Sequence, residues 1–276
     1  MARGAAFFDL DRTVIAKGSL MAFSRPFYRE GLLSRRLVAR AAWGQLRFSR
    51  FGASQRAVDR LRLRLLRLTE GWEAERVRSV VVEALTQVIG PITYAEALKL
   101  MAEHKAAGRK VYIVSATPSD IVEPLAKHLG ADGAIATKAA VREGRYTGQL
   151  ERYTWGPAKA TAIAEVAARE NLDLTESWAY SDSASDVPML EAVGHPVAVN
   201  PDRALRRIAR MRGWPVAKFN ELAVVTAKGP SPLRTGLIGA GGAVVAAGLA
   251  VLLVLLVRRR PGLWPVPAWV AAPGPA

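Results

Sequence analysis

The chain has 276 residues, 39 Lys+Arg against 24 Asp+Glu for a formal net charge of +15, half of its residues hydrophobic, and no cysteine. That length holds one large or two modest domains with material for a core, and the apolar content excludes a disordered chain. Without cysteine there is no disulfide scaffold, thiolate metal site or thiol nucleophile, and three scattered histidines (His104, His128, His195) argue against a His-ligated metal.

In chain order, Ala5–Leu10 (AAFFDL) is an apolar run that stops abruptly in acid, the pattern of a buried strand. From Ser19 to Gly90 no comparable strand occurs. Ser34–Arg47 and Ser54–Leu68 instead carry apolar residues at helical spacing behind a Ser cap, predicting a helical insert of about four helices. Tyr94–Ala107 is a helix closed by Gly108, and Lys110–Val114 (KVYIV) is a strand ending at the polar cluster Ser115-Ala116-Thr117-Pro118. A helix over Ser119–Gly130, a short strand over Gly133–Ala136 and a hairpin over Val141–Tyr153 follow. The series closes with a helix over Pro157–Asn171, a strand over Ser177–Tyr180, a helical turn over Pro188–Val193 and a last strand over Pro196–Val199. Strands alternating with helices predict an α/β fold with a parallel sheet, whose working groups collect at the carboxyl ends of the strands.

Beyond this lies Thr235–Val257, an uncharged run of 23 residues between Arg234 and Arg258-Arg259-Arg260. A helix of that length spans about 34 Å, enough for a hydrocarbon core of about 30 Å, so the run is expected to cross a membrane. Gly236/Ala240, Gly239/Ala243 and Gly242/Ala246 have the spacing of a helix-pairing face, which allows a homodimer through the span. Met1–Ala6 carries no secretory pattern, which places the main domain on the cytoplasmic side. The three arginines after the span pull the other way, and the basic residues before it favour this orientation.

From Arg12 to Gly90 sixteen Lys/Arg face six Asp/Glu, a surplus of ten out of the fifteen, and 30 of the 39 basic residues are Arg. No zinc-finger or RNA-binding-sheet signature accompanies them, so nucleic acid is not an expected partner. Anionic phosphate substrates, anionic lipid headgroups and a plain bias toward Arg all fit the excess.

Three strand ends present polar groups at one edge: Asp9/Asp11/Thr13, Ser115/Thr117 and Asp182/Asp186, with Lys159 near the start of the helix that leads to the last. Four carboxylates gathered there repel, and a hard divalent cation resolves the conflict; oxygen-only ligands point to Mg²⁺. Asp9 can attack a phosphorus atom, while Asp11 protonates the leaving oxygen and then deprotonates a water. Ser115 and the amides of Ala116 and Thr117, at a helix N-terminus, can bind a phosphate oxygen, and Lys159 offsets negative charge. Lys138 is a competitor for that role. Thr13 and Asp186 are as readily structural as functional, and His195 reads as a turn residue.

Phe7-Phe8-Asp9-Leu10-Asp11-Arg12-Thr13 resembles the first motif of the haloacid dehalogenase (HAD) superfamily, Val114–Pro118 the second, Lys159 the third and Tyr180–Leu190 the fourth. The insert between the first two motifs resembles the C1 cap of the phosphoserine phosphatase-like subfamily IB. The resemblance covers residues 5 to 225. It implies a Rossmann-like core over 1–17 and 91–225 and a helical cap over 18–90; beyond it, the apolar run and its flanks divide the chain into a linker over 226–234, the transmembrane helix over 235–257 and an irregular tail over 258–276. It further implies a Mg²⁺-dependent phosphatase with Asp9 as nucleophile and Asp11 as general acid/base. The metal would be held by Asp9, the Asp11 carbonyl and Asp182, with Asp186 near it.

The chain departs from phosphoserine phosphatases at Ser115-Ala116-Thr117, at Ser181–Asp186, at Arg12, and in lacking a carboxylate around Ala16–Leu20 to hold a substrate amino group. The expected substrate is therefore a small phosphometabolite or a phospholipid-pathway intermediate. The alternative is a membrane-tethered HAD-fold protein that binds or regulates without turnover.

Overall fold

Residues 3–33 and 69–223 are described by the computed structural model. Strand β1 (Ala5–Asp9) is buried along its whole length, because it pairs on both edges and is covered on both faces. It runs parallel to β2 (Lys110–Pro118), Asp9 lying opposite Val114. On its other side it runs parallel to β5 (Trp178–Ser181), Phe8 lying opposite Tyr180. Beyond β2 come β3 (Gly133–Arg142) and β4 (Arg145–Arg152); beyond β5 come β6 (His195–Val199) and β7 (Val216–Ala217). The order is β4-β3-β2-β1-β5-β6-β7, parallel throughout except for the antiparallel β3–β4 pair.

Between β1 and β2 the described chain forms α1 (Ser19–Ala22), α2 (Ser24–Arg29), α3 (Ala74–Val88) and α4 (Ala95–Ala106). After β2 come α5 (Ser119–His128), α6 (Pro157–Glu170), α7 (Val187–Glu191) and α8 (Arg203–Arg212). Successive side chains of a strand face opposite ways, so β1 feeds two cores. Ala6 and Phe8 join Val77 and Val81 of α3, Met101 of α4, and Ile121 and Leu125 of α5. Ala5 and Phe7 join Ile163 and Val166 of α6, Leu190 of α7, and Leu205 and Ala209 of α8. Burying a Phe on each side contributes roughly 2–3 kcal/mol apiece, which fixes β1 and the acid at its end.

The expected α/β architecture with a parallel-dominated sheet is present, with differences in detail. β2 runs on through Ser115-Ala116-Thr117 to Pro118, where the sequence suggested a strand ending at Val114. β3 and the hairpin are one ribbon: residues 133–137 pair with β2, and 138–142 continue antiparallel to β4. The hairpin turns at Glu143-Gly144, both at positive φ (50° and 74°), so the Gly is needed there. Helix α8 and strand β7 were not foreseen. In α8 five arginines in ten residues drown the short apolar stripe of Leu205, Ile208 and Ala209. His195 is the first residue of β6, stacked on Trp178 at 4.2 Å, at the sheet edge opposite Asp9.

Among the described residues no helix is long and apolar enough to cross a membrane. The expected helices over Ser34–Arg47 and Ser54–Leu68, the span over 235–257, the linker and the tail all lie outside the described residues.

His104 is the one buried histidine among those described. Its Nδ1 accepts from Arg109 Nε at 2.8 Å, which leaves Nε2–H to donate to the Tyr180 hydroxyl, also at 2.8 Å. Burial, helped by the Arg109 charge, lowers its pKa from 6.5 to about 4. A histidine whose folded pKa is depressed contributes stability that is present above pH 6.5 and is lost as the pH falls towards 4. Urea unfolding at steps from pH 7 to pH 4 should show wild type losing about 2–3 kcal/mol more than His104→Gln. Parallel curves would rule out His104 as the source.

Candidate active site

The carboxyl edge of the sheet gathers the charged groups. Asp9 ends β1, Ser181 ends β5 with Asp182 next in the chain, and Asp186 closes a 3₁₀ turn before α7. Lys159, in the first turn of α6, is only 3% exposed. Its ammonium donates to Asp9 Oδ1 at 2.5 Å and to Asp186 Oδ2 at 2.7 Å, and Asp186 Oδ2 also accepts from the Ser181 hydroxyl at 2.7 Å. Lys138, the competitor, lies on the exposed hairpin and pairs with Glu151 instead.

Arg12 sits between Asp11 and Thr13 with φ 67°, a left-handed conformation that a tight turn imposes. The turn is closed by Arg12 N–H to the Ile15 carbonyl (2.6 Å) and by Val14 and Ile15 N–H to the Leu10 carbonyl (3.0 and 3.1 Å). From there the Arg12 guanidinium reaches Asp182 Oδ2 at 3.2 Å, and Thr13 Oγ1 lies 3.4 Å from Asp9 Oδ2. Asp11 faces the insert: its Oδ1 accepts from Ser19 N–H, at the start of α1, at 2.7 Å.

Ser115, Ala116 and Thr117 do not open a helix. They belong to a bulged strand end, with the register slipping between Ser115 and Pro118, and α5 starts only at Ser119. Thr117 N–H is spent on Ser115 Oγ at 3.1 Å, and the Thr117 hydroxyl pairs with that of Ser19 at 2.9 Å. Ser115 thus retains a hydroxyl hydrogen for a ligand, while Thr117 joins the core to the insert.

Burial sets the electrostatics. Removal from water raises Asp9 well above the ordinary carboxylate range; Lys159 pulls it down, and Asp186 and Asp182 push it up. Burial also raises Asp11, against the hydrogen bonds from Ser19. Burial lifts Asp182 to about 7, Arg12 opposing and Asp186 adding to the rise. Lys159 resists its own desolvation because Asp186 and Asp9 hold its proton above the ordinary lysine value.

Among the described residues, Asp9, Asp11, Asp182 and Asp186 are thus set against only Lys159 and Arg12, and Asp186 Oδ1 is buried without a hydrogen-bond partner. That negative excess and the orphaned oxygen fit a hard dication. Among the described residues no three Asp, Glu or His side chains are gathered so as to hold a metal by themselves. The donor set expected from the sequence asks for only two carboxylates, with a backbone carbonyl and water completing it, the partly hydrated coordination that Mg²⁺ prefers.

Four groups that the sequence reading assigned no role join the site: Arg12, Ser19, Ser181 and Asp202. Asp202 N–H donates to the Asp182 carbonyl at 2.8 Å, and its carboxylate accepts from Ala184 and Leu205 N–H at 3.3 and 2.7 Å. Its signal was legible as an acidic N-cap, and Ser181 adjoins a named acid; Ser19 and Arg12 gave none, since their partners are set by tertiary approach.

The haloacid dehalogenase-like hydrolase family matches residues 6–191. An inhibition of morphological differentiation protein of Streptomyces azureus is 47% identical over 94% of this chain and 95% of its own length. A probable phosphatase of Mycobacterium tuberculosis is 46% identical over 94% and 90%. A Bordetella pertussis protein of unknown function, known from its crystal structure, superposes with TM-score 0.67 at 31% identity, over 79% of this chain and 99% of that one. With its acids, lysine and strand order in place, the chain belongs to the haloacid dehalogenase-like hydrolases and is an enzyme of the phosphatase kind.

Proposed function

We propose that the chain hydrolyses phosphate monoesters through an aspartyl-phosphate on Asp9, with Mg²⁺ as cofactor. The observation that carries this reading is the buried ammonium of Lys159 shared by Asp9 and Asp186. It holds the Asp9 carboxylate oriented at the strand end. Asp9, the Asp11 carbonyl and Asp182 would hold the metal, which when bound neutralises phosphoryl oxygens.

An Asp9 oxygen attacks phosphorus and the bond from phosphorus to the ester oxygen breaks. Protonated Asp11 gives its proton to the departing alkoxide; burial, which raises its pKa, favours this acid form. The Asp11 carboxylate then takes a proton from water, the hydroxide attacks phosphorus, and the bond to Asp9 breaks to release inorganic phosphate. The Ser115 hydroxyl donates to a phosphoryl oxygen, and Lys159 stabilises the charge that builds on the group in flight.

The anchored arrangement is part of the same proposal: residues 235–257 cross the membrane and the described domain lies on its cytoplasmic side. The substrate is then a small phosphometabolite or a lipid phosphate reached at the surface.

With p-nitrophenyl phosphate and Mg²⁺, Asp9→Asn should lower kcat by about 10³-fold or more with its fold intact. Undiminished turnover by that variant would sink the reading. Lys159→Met leaves Asp9 and Asp186 buried without a cation and should cost about 3–5 kcal/mol in urea unfolding, where loss of a surface pair costs under about 1 kcal/mol. A small change would show that Lys159 does not hold the two acids in solution.

A further inference from the structure

Among the described residues, the densest charge that the site leaves unused lies on α8, which carries five arginines and no acid in ten residues. At 100° per residue, Arg203, Arg206, Arg207, Arg210 and Met211 fall within an arc of roughly 140°. The opposite side, Leu205 and Ala209, is fully buried. Arg212 turns aside to Glu191, and Arg206 reaches the Pro201 carbonyl at 3.3 Å. The side chains of Arg203, Arg207 and Arg210 have no hydrogen bond or ion pair among the described residues and stand exposed. On the same arc Met211 is 63% exposed. Unpaired arginines beside an exposed apolar side chain suit a headgroup boundary, where guanidinium meets phosphate and the apolar group enters the interface.

We propose that this face of α8 docks on an anionic lipid bilayer. The proposal rests on the membrane reading above for its proximity. The described chain ends at Ala223, and the eleven residues 224–234 before the apolar run reach at most about 40 Å when fully extended. A bilayer crossed by 235–257 would therefore lie within about 40 Å of Ala223, whose N–H donates to the Thr93 carbonyl, and a weak surface attraction suffices at that effective concentration. Docking also has a direction. Asp202 caps α8, donates to the Asp182 carbonyl and accepts from Ala184 N–H, so α8 and the loop bearing Asp182 and Asp186 are one unit. With α8 on the surface, that wall of the site stands at the phosphate layer, the position in which an anionic lipid phosphate is a reachable substrate.

The absence of cysteine makes the test simple. The full chain carrying Ala204→Cys, labelled with a polarity-sensitive dye, is reconstituted in vesicles of phosphatidylcholine or of phosphatidylcholine with about 30% phosphatidylglycerol. Blue-shifted, quencher-protected emission is expected only in the anionic vesicles at about 0.1 M salt, with reversal near 1 M. The combined change Arg203→Glu, Arg207→Glu and Arg210→Glu should abolish it while leaving melting temperature and p-nitrophenyl phosphate turnover unchanged. Equal emission in both vesicles, or a signal that survives the charge reversal, overturns the proposal. So does duplex DNA that binds the full chain more tightly than anionic vesicles do and loses binding with the same three changes. Anchoring is read separately by alkaline extraction. If the chain washes off neutral vesicles the span is refuted, yet α8 must still bring the free chain to anionic vesicles in a salt-reversible way, or the docking proposal falls with it.

Discussion

A single ammonium group buried beneath the sheet edge is the constraint to which the rest of the site answers. Lys159 is tolerated there because two carboxylates meet it, and Asp9 and Asp186 are tolerated because it meets them. Either sign alone would carry a desolvation cost of several kcal/mol. The pair of bonds also spans the topology: Asp9 comes from β1, Lys159 from α6 and Asp186 from the turn before α7. One cation therefore registers the central strand, a crossover helix and the last acidic loop against one another.

Around that centre the charges are deliberately unequal. Asp182 takes the half-exposed Arg12 as partner, while one oxygen of Asp186 is left with none among the described residues. A site saturated by its own cations would have nothing to offer a dication or a phosphate. A site with no cations would hold its acids protonated, and a protonated Asp9 is no nucleophile. The arrangement lies between these limits.

The sequence was legible where a pattern is local. Ala5–Asp9, Lys110–Val114 and the helices beginning at Ala95, Ser119 and Pro157 follow from periodicity and punctuation; Asp9, Asp182 and Asp186 follow from their place at or just after strand ends, and Lys159 from its place at a helix start. Partners that come from remote segments were not legible. Ser19 lies 98 residues from Thr117, and only the fold brings their hydroxyls to 2.9 Å. The strand that carries Ser115 past Val114 hides behind a Pro and a bulge, features that read locally as an ending. Helix α8 hides for the opposite reason, because its charge outweighs the three residues that dock it.

The insert is stapled at both ends. At its entrance Ser19 is held by Asp11 and Thr117. On its return, Gly71 and Ala74 N–H donate to the Tyr146 and Gly144 carbonyls, Tyr146 N–H donates to the Trp72 carbonyl, and Arg145 grips Gly71 and Glu73. Evolution can therefore rewrite the sequence between these fixed points without disturbing Asp9, Lys159 and Ser115. Within such a lineage, a change of substrate should be recorded in that stretch and silent at its two attachments. A conserved reaction and a drifting specificity can then coexist in one chain.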